Sequence, residues 1–309
     1  MIKNIIKIDL QFLLVKFPII FPLIYAMVLY MFPSIEIYLI FFTILILAET
    51  HFGATWPFFL NNVNSQFIKE NKLNLISYPI MIVFFSLVGF IFFKPTFLLI
   101  FFAANVFHVT RQSYGICKLY TYQQEQLKIQ EIFIYLFNFI FFVIGLLRFY
   151  LPIISNEDLL ILNLLVLSFI LVIIIYFISK YKFSENIYTF FTGIIIFYPV
   201  CFIENPVHAI IMGVTMHYTQ YLYLTHKVYK GRRQKQNLDL SQLRYIFIII
   251  FYAAAMSILS LFGKSTNEVL SMLLVIPIIG QMLHFYLDSQ LWKFSNVHNR
   301  NNVLSFLRD

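Results

Sequence analysis

Four histidines, His51, His108, His217 and His284, each fall near the middle of a different long apolar stretch. An imidazole in hydrocarbon is costly to keep, because it is polar, ionisable and prone to bind metal. Such residues therefore usually mark a working site. Counted from the start of their segments at 1.5 Å per residue, the four lie within roughly 8 Å of a common depth. Neutral imidazoles bind Fe, Cu or Zn, and the second ring nitrogen needs an acceptor to orient it. Several histidines with an occasional carboxylate suit non-haem Fe(II), whose open positions take O₂ and substrate.

Helical spacing brings companions onto the same faces. Asn105, Arg111 and Gln112 share the stripe of His108, and Gly213, Gln220 and Tyr221 that of His217. Gln281 and Asp288 flank His284, and Thr55 follows His51 by four residues. Glu49 lies about 200° around the helix from His51, facing another neighbour or a second layer of the site. The expected site has His51, His108, His217 and His284 as metal ligands, with Asp288, Tyr221 and Arg111 in catalytic roles. Glu49, Asn105, Gln112, Gln220 and Gln281 support them, and His208 is an additional candidate ligand. Plainer readings stand beside these. A single intramembrane histidine serves equally well as an interhelical hydrogen-bonding group. His284 with Asp288 also reads as a private pair, and Arg111 as a side chain snorkelling to water. His208 and His226 sit at opposite ends of their segment and read as interfacial, and His298 as a solvated tail residue.

The elements that carry these residues are membrane helices. The 309 residues are 61% hydrophobic and only 12% charged, against about 25% charged in a soluble domain. Mean hydropathy is +0.82. Ten segments meet the length needed to span: 12–32, 35–58, 75–93, 95–117, 130–151, 157–179, 186–203, 206–226, 243–262 and 268–292. This predicts a single all-α, multi-pass domain over 1–309. Threading the segments alternately puts most lysines and arginines on one side, from Lys3 and Lys7 through the Lys227–Arg244 loop to Arg308. Only Lys94, Arg148 and Lys264 fall on the other. The positive-inside rule then places both termini in the cytoplasm, most simply of a bacterial inner membrane. The net charge of +8 is accordingly a topology signal rather than a nucleic-acid footprint. Cys117 and Cys201, far apart in hydrophobic segments, form no metal or disulfide pattern. The first apolar run lacks a small-residue cleavage site and reads as a retained helix.

Two stretches, HFGAT at His51 and LHFYLDSQLWKFSNVH at His284, resemble segments of the Brp/Blh family of membrane β-carotene dioxygenases. The likeness covers about a tenth of the chain. It implies a multi-helical membrane enzyme with histidine-bound iron and O₂ as co-substrate. The chain lacks that family's PHG element and its HxxxH-type element, so His108 and His217 have no mapped counterparts. The dense histidine boxes of membrane desaturases are also absent.

The leading expectation is thus a non-haem iron oxygenase or related oxidoreductase. Its substrate would be lipid-soluble, such as a carotenoid or another hydrocarbon chain reaching the metal through an apolar tunnel. The alternatives are a proton-coupled transporter with a His/Glu/Asp relay and a b-haem electron carrier with paired axial histidines.

Overall fold

The computed structural model describes residues 9–59, 62–181, 185–236, 242–263 and 268–307. Lys3, Lys7, Lys264 and Arg308, which enter the charge asymmetry, lie outside the described residues, as does 237–241 of the long polar loop. Among the described residues the chain is helical and has no strand. In order, the helices are α1 (Ile20–Met31), α2 (Glu36–Thr43), α3 (Glu49–Gly53), α4 (Trp56–Phe59), α5 (Asn62–Glu70), α6 (Tyr78–Phe92), α7 (Lys94–Tyr120) and α8 (Gln124–Gly145). They continue with α9 (Asn156–Tyr181), α10 (Glu185–Ile195), α11 (Pro206–Gln236), α12 (Gln242–Phe262), α13 (Glu268–Ser271), α14 (Val275–Leu291) and α15 (Val297–Asn302).

Six helical segments among the described residues are long and apolar enough to cross a membrane: Pro33–Phe59, Leu73–Phe92, Gln124–Tyr150, Glu157–Tyr181, Leu243–Phe262 and Met272–Leu291. Each of the ten expected segments carries helix, but the other four differ from a simple apolar span. Helices α1 and α10 have 12 and 11 residues. Helices α7 and α11 are long, at 27 and 31 residues, and owe their lower hydropathy to the polar side chains they carry. Large apolar residues such as Phe92, Phe107 and Leu165 are exposed, as contact with lipid tails requires.

The helices are interrupted where the backbone chemistry demands it. Pro57 has no N–H to give the Gly53 carbonyl, and its ring would clash with that carbonyl. The helix breaks there, leaving Ala54 and Thr55 in a turn between α3 and α4. Just upstream, Ile44–Ala48 forms a π-helical turn, which inserts a residue into the helical register. Pro199 likewise ends α10 early and begins a 3₁₀ turn at Tyr198–Cys201.

The chain divides into two compact units. The first comprises Met1–Phe41 and Val106–Gln220. In it α10 packs on α8, where Asn138 donates its side-chain amide to the Gly193 carbonyl at 2.9 Å. Phe177 and Phe190 pack at 4.4 Å between ring centres with their planes tilted by 41°. Lys16, inside the first apolar segment, is buried and paired with Glu185 at 2.6 Å. Helix α11 approaches the end of α10 backbone to backbone at Gly213. A Cβ there would stand 1.8 Å from the Ile196 carbonyl oxygen.

The second unit comprises Phe42–Asn105 and Tyr221–Asp309. Here α3 packs on α12 and α14 packs on α6. Small residues permit the close contacts. A Cβ at Gly53 would meet the Tyr252 ring at 3.1 Å, and one at Gly280 would meet the Tyr252 hydroxyl at 2.5 Å. Beyond α14 the chain folds back as a short tail. The Asn296 side chain caps α15 by accepting from the His298 amide, and Asn299 donates to the Gln290 carbonyl at 2.6 Å.

Because the Gly213 contact is against backbone, no rotamer change relieves it. Gly213→Ala is expected to destabilise the fold by about 3 kcal/mol or to prevent folding. Gly115→Ala, with nothing within 4 Å of its added methyl, is expected to leave the thermal midpoint in detergent unchanged or raised.

Candidate metal centre

The second unit brings His51 and His284 together. His51 comes from α3 and His284 from α14, and their rings meet edge to face with centres 4.4 Å apart. Both are fully buried. One nitrogen of each lies within 4.8 Å of one nitrogen of the other, a separation that two ligands of one ion can have. The Tyr221 ring packs edge-on against both, at 4.6 Å from His51 and 5.3 Å from His284.

Beneath the pair lies a fully buried polar network. The Thr55 Oγ1 stands 2.7 Å from His284 Nδ1 and 2.7 Å from the Tyr221 hydroxyl. Tyr221 donates to Asp288 Oδ1 at 2.5 Å, and Thr55 reaches the same oxygen at 3.3 Å. Thr55 has one hydrogen, directed to Asp288 or Tyr221, so its contact with His284 requires Nδ1–H as donor. That tautomer leaves the lone pair on Nε2, the nitrogen needed by a metal. Asp288 Oδ2 lies 3.9 Å from Nε2, one helical turn along α14. The carboxylate thus has one oxygen held by hydroxyls and the other beside His284 Nε2. Two imidazoles and a carboxylate form a donor set suited to Fe(II) and, less selectively, Zn(II).

The first unit holds the other two histidines. His108 on α7 and His217 on α11 are buried, with ring centres 5.4 Å apart and planes nearly perpendicular. The Gly213 contact sets the position of α11 one turn before His217. Gln220 does not join this pair, since its side-chain amide donates to the Val15 carbonyl at 2.8 Å.

Other expected residues are placed differently. His208, proposed as an additional ligand, is held by Tyr25 at 2.7 Å and by Glu36 at 2.7 Å, both through its ring nitrogens. With both nitrogens engaged it has none to offer a metal. Arg111 is exposed on α7, and Gln112 and Asn105 are half-buried. Glu49 is buried and receives the amide of Gln281, which flanks His284, at 3.4 Å. Those two form a polar contact of their own next to Tyr252 of α12. His298, expected to be solvated, stacks on Phe67 with ring centres 4.3 Å apart and bonds to Asn64 at 2.8 Å. Thr55, noticed in the sequence only as a neighbour of His51, proves to be the hub of the network. Its one sequence signal was the four-residue spacing.

A cavity of about 850 Å³ in the second unit is lined by α6, α7 and α14, among them Phe85, Phe97, Met282 and Tyr286. Met282 and Tyr286 each stand two residues from His284, about 160° around α14 from it. The cavity therefore lies on the opposite face of α14 from the histidine pair, not on a tunnel leading directly to it.

No protein family, characterised protein or solved structure matches this chain.

Tyr221→Phe removes a donor to a buried carboxylate and is expected to lower stability by about 2 kcal/mol. Thr55→Ser, which keeps the hydroxyl, is expected to cost less than Thr55→Val. Thermal unfolding of the purified variants in one detergent reads both differences.

Proposed function

We propose that this protein is an integral membrane, metal-dependent oxidoreductase acting on a lipid-soluble substrate, with non-haem Fe(II) as the metal and O₂ as co-substrate. The observation that carries the reading is the donor set in the second unit. His51 and His284 face each other across α3 and α14, with Asp288 beside the ligating nitrogen of His284. His51, the Nε2 of His284 and Asp288 would hold the ion, and Thr55 and Tyr221 fix the orientation of two of those three ligands. Iron bound by two histidines and a carboxylate supplies open positions for O₂ activation next to substrate.

The protein's own residues do the rest. Thr55 holds His284 in one tautomer, and Tyr221 keeps Asp288 from rotating. Phe52 and Phe285 pack against His284 and keep water from it. An apolar substrate such as a carotenoid or another hydrocarbon chain suits a site walled in this way, and suits a chain whose outer surface is largely hydrocarbon-like. The faint resemblance of the His51 and His284 segments to the Brp/Blh dioxygenases supports the same chemistry. In this reading the ten apolar segments all span the membrane, with both termini cytoplasmic, and His108 with His217 offers a second pair of imidazoles.

Elemental analysis of protein purified anaerobically tests the reading. One or two iron atoms per chain are expected. His284→Ala, His51→Ala and Asp288→Ala should each remove the ion bound in the second unit, while His208→Ala leaves iron content unchanged. His108→Ala and His217→Ala test the other pair separately. Iron accompanied by a Soret band would instead point to haem, and protein that carries no iron and takes up none on anaerobic reconstitution overturns the reading. Metal-free protein that drives uptake into proteoliposomes would point to a transporter.

A further inference from the structure

Arg232 is the largest fully buried side chain among the described residues, at 1% exposure. It stands near the end of α11, six residues beyond the predicted membrane span. The C-terminal tail closes over this helix end. Gly231 lies so close to the Phe306 ring that a Cβ would fall 2.4 Å from it. Arg232 Nε donates to the Asn302 carbonyl at 2.6 Å, and the guanidinium lies over the Phe58 ring at 5.0 Å. Both terminal nitrogens, Nη1 and Nη2, are buried and have no hydrogen-bond partner.

Among the described residues no carboxylate meets this buried cation. Burial lowers the pKa of Arg232 to about 10, which still leaves it charged at neutral pH. The described groups around it do not neutralise it. Asn302 offers a carbonyl and Phe58 a ring face. His298, whose own pKa is lowered by burial and by Arg232, carries no negative charge, and Glu70 acts on His298 in the opposite sense. Leaving a buried charge without a counter-charge costs several kcal/mol. Nη1 and Nη2 together carry four N–H bonds, two of them parallel on the end of the planar group, the geometry that grips a tetrahedral or planar oxyanion through two oxygens. Lys227, Lys230 and Arg233 on the same helix add positive potential, which favours a phosphate over a singly charged carboxylate.

We propose that Arg232 is the centre of a phosphate-binding site at the end of α11, enclosed by the C-terminal tail, with Nη1 and Nη2 as the donors. The phosphate belongs either to a membrane lipid headgroup or to a free phosphate species. Its enclosure makes it a ligand held between α11 and the tail, exchanging when the tail lifts. The proposal does not rest on the metal chemistry proposed above.

Wild-type protein is purified in an uncharged maltoside detergent without phosphate, delipidated and assayed for phosphorus. Its thermal unfolding is then followed with inorganic phosphate, and separately with micelles containing dioleoylphosphatidylglycerol, at constant ionic strength. At a hundredfold excess over the dissociation constant the midpoint is expected to rise by about 5 °C. A rise with inorganic phosphate assigns a free species, and a rise with the lipid alone assigns a headgroup. About one phosphorus retained per wild-type chain, and lost from Arg232→Gln, supports the site equally. Arg232→Lys, which keeps the charge without the fork, is expected to bind about tenfold more weakly. Phosphorus-free wild type that responds to neither probe overturns the proposal. So does Arg232→Gln responding as strongly as wild type.

Discussion

A polar atom surrounded by hydrocarbon must find its partner within the protein, because neither lipid nor bulk water supplies one. The second unit is organised around that constraint. Thr55, Tyr221, His284 and Asp288 come from the α3–α4 turn, α11 and α14, and their bonds of 2.5 to 2.7 Å hold those elements in one register. Each hydrogen bond to the carboxylate contributes about 1.5–3 kcal/mol, and losing one would leave a buried acceptor short of a donor. The break at Pro57 is part of the same solution. A continuous helix would tie Thr55 into regular i to i−4 geometry, whereas the turn presents its hydroxyl to His284.

The close helix contacts follow from the need to place such short bonds. Gly53 and Gly280 both yield to the Tyr252 side chain, so α3 and α14 can approach α12 more nearly than larger residues would allow. In the first unit Gly213 does the same against backbone. Without a strong hydrophobic force between helices in lipid, small residues and interhelical hydrogen bonds carry much of the association. Helix α14 shows how a single element serves two environments. One face carries His284 and Asp288 inward, and the opposite face carries Met282 and Tyr286 along an apolar cavity.

The histidines separate by what their second nitrogen finds. His284 has a hydroxyl at Nδ1 and a carboxylate beside Nε2, the kind of surroundings that orient a ligating imidazole. His208 has both nitrogens occupied by Tyr25 and Glu36 and serves as an interhelical clamp. His298 is absorbed by stacking on Phe67 and anchors the tail near Arg232. The same residue type thus takes three roles, each decided by neighbours distant in the chain.

Hydropathy and spacing alone made the helical membrane class legible, together with the four central histidines and the pairing of His284 with Asp288. Those readings rest on periodicity within one helix, where a four-residue step has a defined geometry. The His51–Thr55 relation was visible for the same reason, but not its consequence, because Thr55 acts on a residue 229 positions away. The ring contacts His51–His284 and His108–His217 were likewise beyond the sequence. Helical faces state which residues share a side, while the choice of neighbour depends on helix packing, on the breaks at Pro57 and Pro199, and on glycines that set how near two backbones come. Arg232 read as one member of a basic run, and only the folding back of the tail made it a buried cation. Composition determined the solvent and the elements; tertiary packing decided which polar groups meet, because in hydrocarbon each must be satisfied by whatever the fold brings within hydrogen-bond reach.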